Sequence, residues 1–264
     1  MGPVALEALR AERAEAAYWA TYARNIPTTD DNRDTGAVPV AGGYAICLQG
    51  SSIEYGLGVG TSRPLREDDL RIVDEFYGSR SLASRLELHP LVAERDALLV
   101  TRWGYRPERE MTMLEREIET DPVIAAAFSV ETLTSRKQEW SELVVGGLAD
   151  SVAAADLEQA RRTTHVCASA ASALVAIRVE GRLAGGAALG VTGDAAFLFC
   201  ASTLPEYRRR GVHAALIRAR LAIGRSRGAT FAFMTAPPDS AALRNAQAAG
   251  FTATYVRQRL RKRE

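Results

Sequence analysis

The chain has 264 residues, 47% of them apolar and 25% charged, enough to bury one large core or two of ordinary size. No apolar run reaches membrane-spanning length, and the three cysteines, Cys47, Cys167 and Cys200, lack metal-ligand spacing, so a membrane-spanning protein, a disulfide scaffold and a zinc module are set aside. The formal net charge of +1 hides an asymmetry: residues 201–264 carry thirteen Lys and Arg against three Asp and Glu, and the rest of the chain is correspondingly acidic.

Residues 1–25 are alanine-rich, with Glu7, Arg10, Glu12, Arg13 and Glu15 interleaved, which predicts a helix rather than a secretion signal. Gly2 has Leu6 where myristoylation needs Ser or Thr, and a cytoplasmic location is the expectation. Gly56-Leu57-Gly58-Val59-Gly60 invites comparison with a dinucleotide-binding turn. Thr61 stands where the last glycine of that fingerprint belongs, so these read as strand-end glycines.

Further along, alternation over 126–132 predicts a strand, 135–148 and 154–163 two helices, and 172–179 with 183–191 a hairpin about Gly181. Residues 195–201 are apolar and aromatic, a buried strand bounded by Gly193-Asp194. The run from Ser202 to Leu216 then turns through arginines and Gly211 into a helix whose apolar face is Leu216, Ile217, Leu221 and Ile223. Arg218, Arg220, Arg225 and Arg227 occupy its polar positions, and Gly228 stops it. A strand over 230–234 and a short helix over 239–249 follow, then Gly250-Phe251 and a last strand. There the alternating Arg257, Arg259 and Arg261 suggest either a partner with several phosphates or a solvated face.

A loop that opens onto a helix N-terminus presents unpaired N–H groups and about half a positive charge, the arrangement that holds a phosphate by main chain. Arg208, Arg209 and Arg210 add charge there, and Gly211 lets a ligand approach. The segment resembles the acetyl-CoA-binding motif of the GCN5-related N-acetyltransferases, Gln/Arg-x-x-Gly-x-Gly/Ala, with Arg208, Gly211 and His213 at the three defined positions. His213 departs from the small residue usual in that motif. The resemblance covers residues 126–262 and implies that the strands near 197–203 and 230–235 splay to admit the pantetheine arm. It further implies a cofactor contact set of main chain at Ser202, Thr203 and Leu204, the loop residues Arg208, Arg209, Arg210, Gly211, Val212, His213 and Ala214, and Asn245 beside the sulfur.

Family members often carry a tyrosine acid on the helix before Gly-Phe, and here that position is Ala246. Asn245, Tyr255 or solvent are the alternatives for serving the leaving sulfur, and Glu139, Glu142, Asp156 and Glu158 are candidate bases. His89, His165 and His213 have no metal spacing, so no metal is expected.

Moving the first half forward by 146 positions lays Leu65 on Gly211, Leu86-Glu87-Leu88 on Ala232-Phe233-Met234 and Trp103-Gly104-Tyr105 on Ala249-Gly250-Phe251. Two copies of one fold are therefore expected: residues 1–120 without a cofactor loop, and 121–264 binding acetyl-CoA. Each is an α/β (α+β) domain with a mixed, mostly antiparallel twisted sheet flanked by helices. In the first copy Pro64 and the carboxylates Glu67, Asp68 and Asp69 replace the phosphate cradle. The resemblance implies an N-acyltransferase moving a short acyl group from acyl-CoA to an amine, with a small molecule as acceptor and the oligomeric state open. The alternatives are a tRNA-utilising or tRNA-modifying transferase, to which the basic block would be suited, and a non-catalytic acyl-CoA-binding protein.

Overall fold

A computed structural model describes residues 9–119, 127–150 and 153–263. In chain order the first elements are α1 (Arg10–Asn25), β1 (Gly36–Val40), β2 (Gly43–Cys47), β3 (Glu54–Leu57), α2 (Glu67–Gly78), β4 (Arg85–Leu88), α3 (Pro90–Arg95), α4 (Ala97–Arg102) and β5 (Tyr105–Glu117). The remainder are β6 (Ser129–Thr132), α5 (Lys137–Leu148), α6 (Leu157–Ala170), β7 (Ala173–Val179), β8 (Arg182–Thr192), β9 (Ala195–Thr203), α7 (Val212–Ser226), β10 (Phe231–Ala236), α8 (Ala241–Ala248) and β11 (Thr252–Lys262). The start of the expected first helix, with Gly2 and Leu6, and Ala126 of the expected strand lie outside the described residues. The helix predicted over 154–163 is α6, which runs on to Ala170, well past the predicted end, because Thr164, Cys167 and Ala168 continue its buried face.

The chain divides into two compact units. One comprises Met1–Gln49, Ile53–Met113 and Thr254–Glu264; the other comprises Gly50–Ser52 and Leu114–Ala253. The predicted boundary at 120 falls near the break inside β5, but the C-terminal strand belongs with the first unit. The reason is pairing: β11 runs antiparallel to β4, with Leu260 opposite Leu86 and Gln258 opposite Leu88.

In the first unit the strand order is β1-β2-β3-β4-β11. The pairs are antiparallel except β3 with β4, which are parallel and meet only at Gly56↔Leu86 and Leu57↔Glu87. α2 buries Leu70, Val73 and Tyr77 against Val40, Leu86, Leu88 and Leu260, and the Tyr77 hydroxyl donates to the Ile46 carbonyl at 3.0 Å. The glycine run works by close approach. A side chain on Gly56 would meet Leu86 at 2.7 Å, and one on Gly60 would meet Val92 at 2.6 Å.

This unit also holds a buried charge cluster, and it corrects one expectation about the last strand. Arg257 and Arg259 do not form a solvated face. Both are buried, Arg257 bonding Glu12, Glu15 (2.6 Å) and Glu87 (3.1 Å), and Arg259 bonding Glu87 (2.7 Å); only Arg261 of the three faces solvent.

In the second unit the order is β10-β9-β8-β7-β6, antiparallel except for the parallel β9 and β10. Glu180 and Gly181 make the β7–β8 turn with positive φ at both positions (51° and 78°), which matches the strand twist of a tight hairpin. α7 packs Val212, Ala215, Leu216 and Ala219 on Val175, Ile177 and Ala187. The shift of 146 carries α2 onto α7, β4 onto β10 and β5 onto β11, so the two halves run through the same order of elements.

Candidate functional site

The second unit concentrates the unusual backbone. After β9, Tyr207 N donates to Leu204 O at 3.0 Å and Arg208 N to Pro205 O at 3.2 Å, which turns the chain back. Arg209 (φ 59°) and Gly211 (φ 83°) then take left-handed conformations, and α7 starts. Gly211 suits that φ, and Phe128 packs 3.4 Å from where its side chain would begin. The first helical amide to find an acceptor is Ala215, bonding Gly211 O at 3.0 Å. The amides of residues 209–214 meet none among the described residues. Six amides without an acceptor at the positive end of a fifteen-residue helix make a candidate anion cradle.

The three arginines play different parts. Arg208 is tied up: it grips both oxygens of Asp150 at 2.6 Å and donates to the Gly147 carbonyl at 2.9 Å, fastening the loop to the end of α5. Arg210 lies over the Tyr207 ring at 5.5 Å and reaches Glu180 at 3.5 Å. Arg209 forms no ion pair among the described residues and remains exposed beside the cradle. His213, one residue into the helix, has a buried Nδ1 without a partner. Burial, with Arg220 nearby, pushes its pKa down to about 4, so the ring is neutral at pH 7.

Beside this cradle the sheet opens. β10 pairs with β9 only through Phe231↔Ala195, Ala232↔Ala196 and Phe233↔Phe197. Beyond that point the strands separate, leaving residues 198–203 and 234–236 without mutual hydrogen bonds. The stacked rings of Phe197 and Phe233, 4.8 Å apart and 7° from parallel, close the paired end. β9 also carries an extra residue. Ala188 faces Phe199 and Ala187 faces Ala201, so Cys200 is a bulge, with φ 47°. Under it lies Arg220, expected on the polar face of its helix but found 1% exposed, donating to the carbonyls of Ala188 (3.2 Å) and Phe199 (3.4 Å).

α5 lies close over β9, because Gly147 leaves no side chain against Ser202, whose hydroxyl donates to Val144 O at 2.7 Å. The expected main-chain contacts are thereby narrowed. Leu204 already donates to Ala184 O at 2.9 Å and accepts from Tyr207, whereas Ser202 and Thr203 stand on the parted strand. Asn245 is exposed on α8, and Ala246 beside it is fully buried among Leu198, Met234 and Phe251. Tyr255 belongs to the first unit, where its ring lies 4.3 Å from that of His89. Of the candidate bases, Glu139 pairs with Arg136, Glu158 with Arg162, and Glu142 accepts from Gln138, as surface carboxylates do. Among the described residues, no group of three His, Cys, Asp or Glu could hold a metal, and no helix is long and apolar enough to cross a membrane.

In the second unit one parallel pair, β9 with β10, parts beside the start of α7, within an otherwise antiparallel order. Residues 139–251 match the sequence model of the Acetyltransferase (GNAT) family and form a domain of that family. No curated protein matches the chain. Solved structures similar to it include a GCN5-related N-acetyltransferase from Kribbella flavida, with TM-score 0.65 and 16% identity over 100% of this chain and 97% of that one. A tandem GNAT protein from the clavulanic acid biosynthesis pathway gives TM-score 0.59 and 15% identity over 97% and 96% of the two chains. A GCN5-related N-acetyltransferase from Sphaerobacter thermophilus gives 0.54 and 14% over 79% and 71%. At such identities the likeness is one of fold.

Proposed function

We propose that the protein is an acyl-CoA-dependent N-acyltransferase that moves an acetyl or other short acyl group to the amine of an acceptor, with one cofactor per chain, bound in the second unit. The observation that carries this is the row of unoccupied amides at 209–214 beside the parted strands β9 and β10. The chemistry of those groups fits the cofactor: outward N–H donors and a helix dipole suit a pyrophosphate, and two strand edges suit the amides of a pantetheine arm. When bound, acyl-CoA supplies an activated thioester.

The chain's own residues then bind and orient. Amides of 209–214 and the exposed Arg209 hold phosphate, and Arg208, through Asp150 and Gly147, keeps the loop in the shape that presents them. Main chain of Ser202 and Thr203 lines one edge of the gap. Positioning two reactants in this way supplies much of the rate in direct amine attack. Asn245, on the exposed side of α8, is the nearest replacement for the missing tyrosine, with solvent as the other proton source.

In the first unit the equivalent helix start offers no such cradle. Leu65 N donates to Asp96 at 3.1 Å and Arg66 N to Asp69 at 2.8 Å, while Arg63 grips both oxygens of Asp69. The basic block that suggested a tRNA partner is smaller than the sequence implies, since three of its thirteen cations, Arg220, Arg257 and Arg259, are internal. Calorimetric titration with acetyl-CoA, followed by thiol release with a panel of amines, tests the reading. A stoichiometry near one and turnover with at least one amine are expected. No binding, or two molecules bound per chain, would overturn it.

A further inference from the structure

Arg220 is a fully buried cation with no carboxylate in ion-pair range among the described residues. Its Nε donates to Leu216 O one turn back (3.1 Å), one Nη donates to both Ala188 O and Phe199 O, and the other Nη has no partner. Burial without a counter-charge pulls its pKa down to about 9, which still leaves it protonated at pH 7. A leucine in its place would be the ordinary choice for a helix face packed on a sheet. The two carbonyls it takes explain the exception. Ala188 and Phe199 are the facing pair next to the bulge, so one guanidinium nitrogen is tied to both strands where the extra residue Cys200 interrupts the β8–β9 ladder.

We propose that Arg220 is a positioning residue of the acyl-transfer site: by occupying the Ala188 and Phe199 carbonyls it holds the β9 bulge open at Cys200 and sets a cation beneath the stretch of β9 that faces the gap. This rests on the reading of the gap as the acyl-CoA site. Without the guanidinium that tie across the two strands is lost, and the ladder regains a regular register by expelling the extra residue. A one-residue slip would turn residues 200–203 to the opposite face of the sheet, taking Ser202 from Val144. The site's geometry fails while the pyrophosphate cradle, made by different residues, remains.

Arg220→Met and Arg220→Lys are the variants, with two readouts. The first is alkylation of Cys200 by iodoacetamide, followed by mass spectrometry against buried Cys47 and Cys167, and it needs no cofactor. The second compares acetyl-CoA affinity with kcat for an amine that is turned over. Arg220→Met should slow Cys200 alkylation and lower kcat by about tenfold or more, with acetyl-CoA Kd within about threefold of wild type. Arg220→Lys, keeping the charge and one carbonyl bond, should recover part of both. Wild-type alkylation and kcat in a folded Met variant would overturn the proposal, as would a Kd loss matching the kcat loss. If the Met variant does not fold, the Lys variant decides: it should fold with both readouts intermediate, and wild-type values in both would refute the assignment. Failure of the wild-type protein to bind acetyl-CoA would sink the acyl-transfer reading alone, because Cys200 reactivity still reports on the bulge.

Discussion

Replacing Glu12 by Gln should stabilise the protein above neutral pH, although it removes one member of a buried ion-pair network. Arg257 and Arg259 supply two positive charges to three carboxylates, those of Glu12, Glu15 and Glu87, and one Glu12 oxygen has no partner. Burial, reinforced by Glu15 and Glu87 and opposed by Arg257, pushes the Glu12 pKa from 4.5 up to about 7. The folded state therefore holds this proton more tightly than the unfolded chain. The associated stability is fully present below pH 4.5 and is lost as pH rises through 7. At about 1.4 kcal/mol per pH unit, the span from 4.5 to about 7 amounts to roughly 3 kcal/mol. His89 and His213, both depressed to about 4, contribute with the opposite sign as pH rises from 4 to 6.5, so the wild-type profile alone is ambiguous. The difference between variant and wild type isolates Glu12, because Gln copies the protonated acid. Urea unfolding at pH 4.5 and pH 8 should give nearly equal stability at the lower pH and an advantage of about 3 kcal/mol for Glu12→Gln at the higher. Parallel profiles, or a variant less stable at pH 8, would refute the idea of an uncompensated carboxylate.

Gly211→Glu should abolish acetyl-CoA binding, since it sets a carboxylate in the cradle and forces φ 83° on a side-chain residue, at a cost in stability of about 1–2 kcal/mol; calorimetry and a melting curve separate the two effects. Asp150→Ala should weaken acetyl-CoA binding by releasing Arg208 and the loop, and Asp150→Glu should restore part of it; equal affinities in all three proteins would remove Arg208 as the loop's fastening. Ala246→Tyr, the change that would install the family's acid, should instead destabilise by about 1–3 kcal/mol, because Ala246 is fully buried among core side chains. Asn245→Ala, at an exposed position, should leave stability unchanged and lower kcat if the amide serves the sulfur; unchanged kcat assigns that proton to solvent.

The parts of the site legible in the sequence were those made by local chain geometry. The strand, turn and helix around Gly211 announce themselves through a glycine, three arginines and a change of period from two to 3.6. The split of β9 from β10 came from resemblance, and the end of their register at Phe233↔Phe197 agrees with it. What stayed hidden depends on partners far along the chain. Arg220 lies among Arg218, Arg225 and Arg227 and reads as one more surface cation, yet it meets carbonyls of β8 and β9. The bulge at Cys200 shows itself only against β8, since a bulge is a mismatch between two strands. Arg257 and Arg259 alternate as a solvated edge would, and their burial follows from glutamates nearly the whole chain away.

The position of β11 bears on how the chain must be assembled. Glu12, Glu15 and Glu87 wait for guanidinium groups that lie beyond residue 253, so the first unit closes only after residues 114–253 of the second have been synthesised. An excised fragment ending at residue 120 would carry three interior carboxylates with no cation to meet them, and the ordinary remedy of cutting between domains would disarm the unit it was meant to isolate. Order in sequence and order of completion are thus reversed: of the two units, the one that starts first is completed last, by the strand that follows the other.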